Sequence, residues 1–179
     1  MFCTKFSTSK IILLLIKVKL LYILMNIKFL VIGKTENSYL KEGILDYQQR
    51  LCRYVNFEIE EINIKGNMIK REVLLQKEAE KILAALKPAD KVILLDEKGE
   101  QYTSVGFSKK IETFQHQSIS RLVIICGGAY GFDEQIYQRS NQLLSLSKMT
   151  YTHQMVRLIF LEQLYRAFTI IKNEKYHHI

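Results

Sequence analysis

Two short stretches constrain this chain more than anything else in it. Lys91-Val92-Ile93-Leu94-Leu95-Asp96 and Leu122-Val123-Ile124-Ile125-Cys126 are continuous apolar runs. A strand that is apolar at successive positions is covered on both faces, the condition of a central strand in a parallel sheet. Helical stripes alternate with these runs. Leu40, Ile44, Tyr47, Leu51 and Tyr54 recur at spacings of three and four, with Lys41, Glu42, Gln48, Gln49 and Arg50 left for solvent. Leu75, Ala79, Ile82 and Leu86 mark a second helix, ended by Pro88, the only proline. Ser104 is a candidate cap for a third, with Phe107, Ile111 and Phe114 as its stripe. Asp133 is a cap for a short helix carrying Ile136 and Leu143. A long helix over 154–172 holds Leu161, Leu164, Phe168 and Ile171 on one side. Further strands are expected over 26–33, ending in a glycine turn, over 57–64 with a bulge at Glu60-Glu61, and over 146–151. A turn is expected at Lys98-Gly99. This alternation predicts an α/β fold, a mainly parallel sheet with helices on both faces.

The charge is unevenly placed. The chain carries +8 at neutral pH, which points to a polyanionic partner. Lys5, Lys10, Lys17 and Lys19 fall within residues 1–24, where there is no acid, so the chain from Met25 onward keeps half of that charge. The apolar run 11–16 resembles the core of a signal peptide. Lys17 and Lys19 interrupt it, no small-residue cleavage site follows, and it falls short of the roughly 20 apolar residues that span a bilayer. Met25 is therefore read as the biological start, 1–24 as an extension and 25–179 as a single domain; an added amphipathic helix or membrane tether is the alternative. Cys3, Cys52 and Cys126 are odd in number and widely separated. They fit neither a disulfide framework nor a zinc spacing, and a reducing, cytoplasmic compartment without membrane association is expected.

In open α/β sheets ligands bind beyond the carboxyl ends of the strands, so the turns after Leu95, Cys126 and Tyr151 are the candidate site. Gly127-Gly128-Ala129-Tyr130-Gly131 follows a buried strand and precedes a helix, where glycines let bare backbone approach a ligand. It lacks the glycine fingerprint of a dinucleotide site and the ending of a phosphate loop, so a tight turn with no ligand is an equal alternative. Leu146-Ser147-Lys148-Met149-Thr150-Tyr151 is too polar for a central strand and too apolar for an exposed loop. Its hydroxyls and backbone could satisfy a purine edge while Leu146 and Met149 cover the ring; an edge strand is the plainer alternative. His116, His153, His177 and His178 show no converging ligand pattern, so no metal is expected. Glu162 and Arg166 lie four apart and suit a surface pair. Arg157 and Arg166 could instead grip phosphate. Tyr176-His177-His178 is rich in groups that stack on bases and transfer protons.

Taken in chain order, these motifs resemble those of the bacterial ribosomal RNA large-subunit methyltransferase H family, within the SPOUT superfamily of knotted methyltransferases. The resemblance runs from Met25 to the end. It is carried by the strand with Gly-Gly-x-x-Gly, by Leu-Ser-Leu-Ser-Lys-Met-Thr-x-x-His-Gln-Met-x-Arg, by Glu-Gln-Leu-Tyr-Arg-Ala-Phe and by Tyr-His-His. It implies a C-terminal deep trefoil knot and a homodimer that binds S-adenosyl-methionine in the knot. It also implies methylation of N3 of a pseudouridine in the large-subunit (23S) ribosomal RNA, within the ribosome. Cofactor contacts carry over to Leu95, to Gly127, Gly128 and Gly131, and to Leu146, Ser147, Lys148, Met149, Thr150 and Tyr151. Substrate and catalytic positions carry over to His153, Arg157, Arg166, Tyr176, His177 and His178. In the family the tail of one subunit completes the site of the other. The last basic position varies there among arginine, lysine and histidine, and is His178 here.

The chemistry implied needs no metal, because a sulfonium already carries a good leaving group. The enzyme has to align N3 with the methyl and remove the N3 proton. A neutral histidine of the tail, or a water it holds, is the candidate base, and Arg166 could stabilise charge on the flanking carbonyl oxygens. Two alternatives stand beside this: a sister SPOUT enzyme acting on transfer RNA, and a non-catalytic ribosome- or RNA-binding module.

Overall fold

The computed structural model describes residues 25–64, 70–117 and 119–177. The readings placed on 1–24 and on His178 lie outside the described residues. Strands β1 (Asn26–Ile32), β2 (Asn56–Ile62), β3 (Lys91–Gln101), β4 (Arg121–Cys126) and β5 (Gln142–Ser145) form one sheet in the order β2-β1-β4-β3-β5. Every pairing is parallel. Helices α1 (Ser38–Leu51), α2 (Arg71–Ala85), α3 (Ser104–His116), α4 (Glu134–Arg139) and α5 (Met155–Ile171) connect and follow the strands. Because side chains alternate along a strand, each apolar run feeds two cores. Ile27, Phe29, Ile93, Leu122 and Ile124 pack under α1, α3 and α5. Leu30, Ile32, Val92, Leu94, Val123 and Ile125 pack under α2 and α4. The two runs singled out by sequence are thus β3 and β4, at the centre, with α5 between α1 and α3 and touching both.

Five local expectations need correction. β2 has no bulge, since its register against β1 runs unbroken from Asn56 to Ile62. The apparent phase slip arises because Phe57 and Ile59 face the first core and Ile62 and Ile64 the second. At Lys98-Gly99 the chain does not turn: β3 runs on to Gln101, and the register slips between Leu95 and Glu100, both opposite Leu144. Gly99 is needed there for close approach, because a Cβ would lie 2.5 Å from the Leu144 nitrogen. Thr103, not Ser104, caps α3, its Oγ1 accepting from the Gly106 N–H at 3.0 Å. Leu143 belongs to β5 rather than to the short helix, which Asp133 does cap. Asn141 ends that helix segment by bonding Val92 through both its backbone N–H and its side chain. Finally, 146–151 is a loop and not the last strand. Ser147 Oγ accepts from the Met149 N–H at 2.9 Å, a local bond that competes with a strand ladder.

Candidate functional site

The middle of β3, where its register slips, and the loops beyond the carboxyl ends of β4 and β5 enclose a cavity of about 730 Å³, within the usual range for a small-molecule site. β3 contributes Leu95, Asp96, Glu97 and Lys98; the end of β4 and its following turn contribute 126–132; the end of β5 and its following loop contribute 144–147 and 149–153. Each segment is there for a local reason. Gly128 and Gly131 pair as an isolated bridge and Gly131 takes φ +79°, a conformation that glycine adopts without strain. At Gly127 a Cβ would stand 3.1 Å from the Gly131 oxygen and from the Phe132 ring, so the turn closes only with bare backbone. Ser145 Oγ donates to the Ser147 carbonyl at 2.9 Å and Thr150 Oγ1 donates to Glu97 Oε2 at 3.2 Å, which ties the β5 loop to the middle of β3.

The same loop then crosses the sheet. Cys126 Sγ donates to the His153 carbonyl at 3.6 Å, Gln154 Oε1 accepts from the Glu36 N–H at 2.9 Å, and Arg157 reaches the end of β1. The chain thus passes from edge strand β5 over the ends of β3 and β4 to β1 before α5 begins.

Burial shifts four titratable groups at or beneath the cavity. Burial, then the Arg157 charge, lowers the His153 imidazole below its ordinary 6.5, so it is neutral at pH 7. Burial pushes the Cys126 thiol up to about 11, against the opposing effect of Arg157. Burial and then Asp96, which accepts from its hydroxyl at 2.6 Å, push the Tyr137 phenol up. Beneath Gly128, burial raises the Glu78 carboxyl to about 7.

Of the residues named from sequence, Leu95, Gly127, Gly128, Gly131, Leu146, Ser147, Met149, Thr150, Tyr151 and His153 all line this cavity. Lys148 lies in the same loop, exposed, with its side chain outside the wall. Arg157 is 1% exposed; its guanidinium donates to Ile32 O at 2.5 Å and to Thr35 Oγ1 at 2.8 Å. Arg166, Tyr176 and His177 are elsewhere. Val156 is the last cavity residue on α5, and Arg166 comes about 15 Å further along the helix at the usual rise. There Arg166 pairs with Glu162, lies 4.8 Å over the Tyr176 ring and approaches His177 Nδ1 at 3.4 Å. Tyr176 packs edge-on against Tyr165, its hydroxyl meeting Tyr47 and Glu162. Sequence reasoning missed Arg71, Asp96, Glu97, Tyr130 and Tyr137 in the wall. Asp96 carried a signal, as the charge that ends an apolar strand; Arg71 carried none, because only the fold brings the start of α2 to this place.

Comparison with known proteins follows the same lines. The model of the family described as "Predicted SPOUT methyltransferase" matches residues 25–177. The chain is 48% identical over 158 residues to the ribosomal RNA large subunit methyltransferase H of Parabacteroides distasonis, covering 86% of this chain and 99% of that protein. It is 47% identical to the protein of that name from Flavobacterium johnsoniae, with the same coverage. To the one from Cytophaga hutchinsonii it is 46% identical over 155 residues, which is 86% of this chain and all of that protein. No helix among the described residues is long and apolar enough to cross a membrane.

Proposed function

The chain belongs to the SPOUT methyltransferase family, and from that premise we propose that it uses S-adenosyl-methionine to methylate N3 of a pseudouridine in large-subunit ribosomal RNA. It acts in the cytoplasm on assembled ribosomes, as a homodimer. The observation that carries this reading is the separation of two groups of residues. The cofactor-type loops surround one cavity, while Arg166, Tyr176 and His177 cluster on the α1 and α5 face of the same chain. A site needing both is completed by the tail of a second copy. The passage of 146–154 across the strand ends supports the knotted threading that such a site uses.

The cavity suits the cofactor. Leu95, Leu146 and Met149 offer apolar cover to an adenine, the Gly127-Gly128 backbone offers unshielded polar groups, and Asp96 and Glu97 offer carboxylates to positive charge. When bound, S-adenosyl-methionine supplies a methyl group on a sulfonium, which needs no metal. The chain's own residues have to hold the nucleobase with N3 in line and take its proton. His153, neutral and in the cavity wall, can accept that proton or hold a water that does; His177 of a partner's tail is the other candidate base. Arg166, aimed by Glu162, neutralises the charge that grows on the carbonyl oxygens beside N3.

The test is transfer of labelled methyl to ribosomes, isolated large subunits and transfer RNA, with the product nucleoside identified by mass spectrometry. N3-methylpseudouridine from ribosomal RNA is expected. Label confined to transfer RNA would move the substrate to that of a sister enzyme, and cofactor binding without transfer would leave a binding role.

A further inference from the structure

Exposed large apolar side chains are few among the described residues, and three of the six, Tyr130, Met149 and Tyr151, stand in the wall of the cavity. Tyr130 is 52% exposed at the tip of the Gly128–Gly131 turn. The guanidinium of Arg71, from the first residue of α2, lies 5.6 Å from its ring centroid. That contact fixes the ring through a cation–π attraction while half of its surface stays open. Among the described residues Arg71 forms no ion pair, so its charge is available to a phosphate. A fixed aromatic face beside a spare guanidinium is what single-stranded RNA recognition uses: bases stack on the ring and the cation takes the backbone.

We propose that Arg71 and Tyr130 form a clamp at the cavity mouth that holds the nucleotide next to the target, its base stacked on Tyr130 and its phosphate paired with Arg71. The clamp rests on the ribosomal RNA reading. N3 lies on the pairing edge of a pseudouridine, so the target has to leave its stack to react, and neighbours unstacked with it need a surface to land on.

The test measures KM for ribosomes, cofactor affinity by calorimetry and oligomeric state by gel filtration, together with binding of a fluorescein-labelled oligouridine. Tyr130→Ala raises KM for ribosomes about tenfold and leaves cofactor affinity within about twofold, whereas Tyr130→Phe keeps the stack and stays within about twofold on both. Arg71→Ala costs about fivefold and lessens the salt dependence of RNA binding. An unchanged KM in Tyr130→Ala overturns the clamp. So does a parallel loss of cofactor binding, which makes Tyr130 part of the cofactor wall, or a change of oligomeric state, which makes it a contact between copies. If the wild type methylates no ribosomes, the ribosomal RNA reading fails and the oligouridine decides alone. Binding weakened by Tyr130→Ala then supports the clamp; binding that ignores Tyr130, or no binding, overturns it.

Discussion

The cavity end of the sheet and the α1/α5 face solve opposite problems with the same chain. Around the cavity, backbone is laid bare: Gly127 and Gly128 have no room for a Cβ without displacing Gly131, Phe132 or Glu78, and most of the wall comes from strand residues and the loops that follow them. On the α1/α5 face, side chains do everything. Tyr47, Tyr54 and Tyr165 interlock with Tyr176, and Arg50, Arg166, Glu162 and Glu174 pair or bond among them. The first region is a cavity of the size that small-molecule sites have. The second is a set of proton-carrying and stacking groups packed against one another. Methyl transfer to a nucleobase needs both, and neither region holds both.

The largest effect expected follows from that split. Gly127→Val pushes a branched side chain into the Gly131 carbonyl and the Phe132 ring, and cofactor affinity should fall about 100-fold or more, read by calorimetry. Tyr176→Ala should leave cofactor affinity within about twofold and abolish most methylation. Each variant alone is then nearly inactive, for different reasons. On the proposed homodimer, the two variants mixed and allowed to exchange subunits should recover about a quarter of wild-type activity, since half the dimers would then be mixed and each would have one intact cavity served by one intact tail. No recovery on mixing, with exchange verified, would place the tail and cavity of the same chain in one site and remove the contrast.

Arg157 tests the border between the two regions. It is buried at the start of α5 and ties that helix to the end of β1 through Ile32 and Thr35. Arg157→Ala strands two buried acceptors and leaves a void, though it also removes a buried charge whose Nε has no partner among the described residues, so a loss of about 1–3 kcal/mol is expected from urea unfolding. A variant that keeps its stability but loses methylation would return Arg157 to the substrate side, where the resemblance in the sequence leads us to expect it.

What could be read beforehand depended on how local the physics is. The β3 and β4 runs were legible because burial on both faces needs apolar residues at every position. The glycine turn and residues 146–151 stood out because the residue types are unusual for their places, and the two segments do line one cavity, although 146–151 was expected to be a strand. The edge strand β5 was not, since Gln142 and Ser145 look like loop and the pairing with Leu95 and Glu100 is set by a distant register slip. Glu60-Glu61 misled for a related reason: one strand serving two cores mimics a bulge. The Arg71–Tyr130 contact and the distance from Arg166 to the cavity are products of topology, and no spacing in the sequence encodes them.

The smallest effect concerns pH, and it too separates the regions. Burial pushes the shifted phenols of the aromatic face, Tyr54 and Tyr176, upward and away from neutrality. Beneath the cavity, Glu78 is 8% exposed, and burial raises its carboxyl from 4.5 to about 7. The folded chain therefore holds a proton there that the unfolded chain releases near 4.5. Its contribution to stability is full below 4.5 and is lost as pH rises to about 7, amounting to about 2 kcal/mol after allowance for partial solvation. His153 acts in the other sense, because its lowered imidazole lets the unfolded chain take a proton first and stability falls as pH drops below 6.5. Urea unfolding at pH 5 and pH 8 separates the two. Glu78→Gln should be more stable than the wild type at pH 8 and should expose the His153 dependence alone, while Glu78→Gln,His153→Asn should be nearly flat. A Glu78→Gln variant that keeps the wild-type loss between pH 5 and 8 would show that the proton is held elsewhere, and that the cavity floor is no more sensitive than the aromatic face.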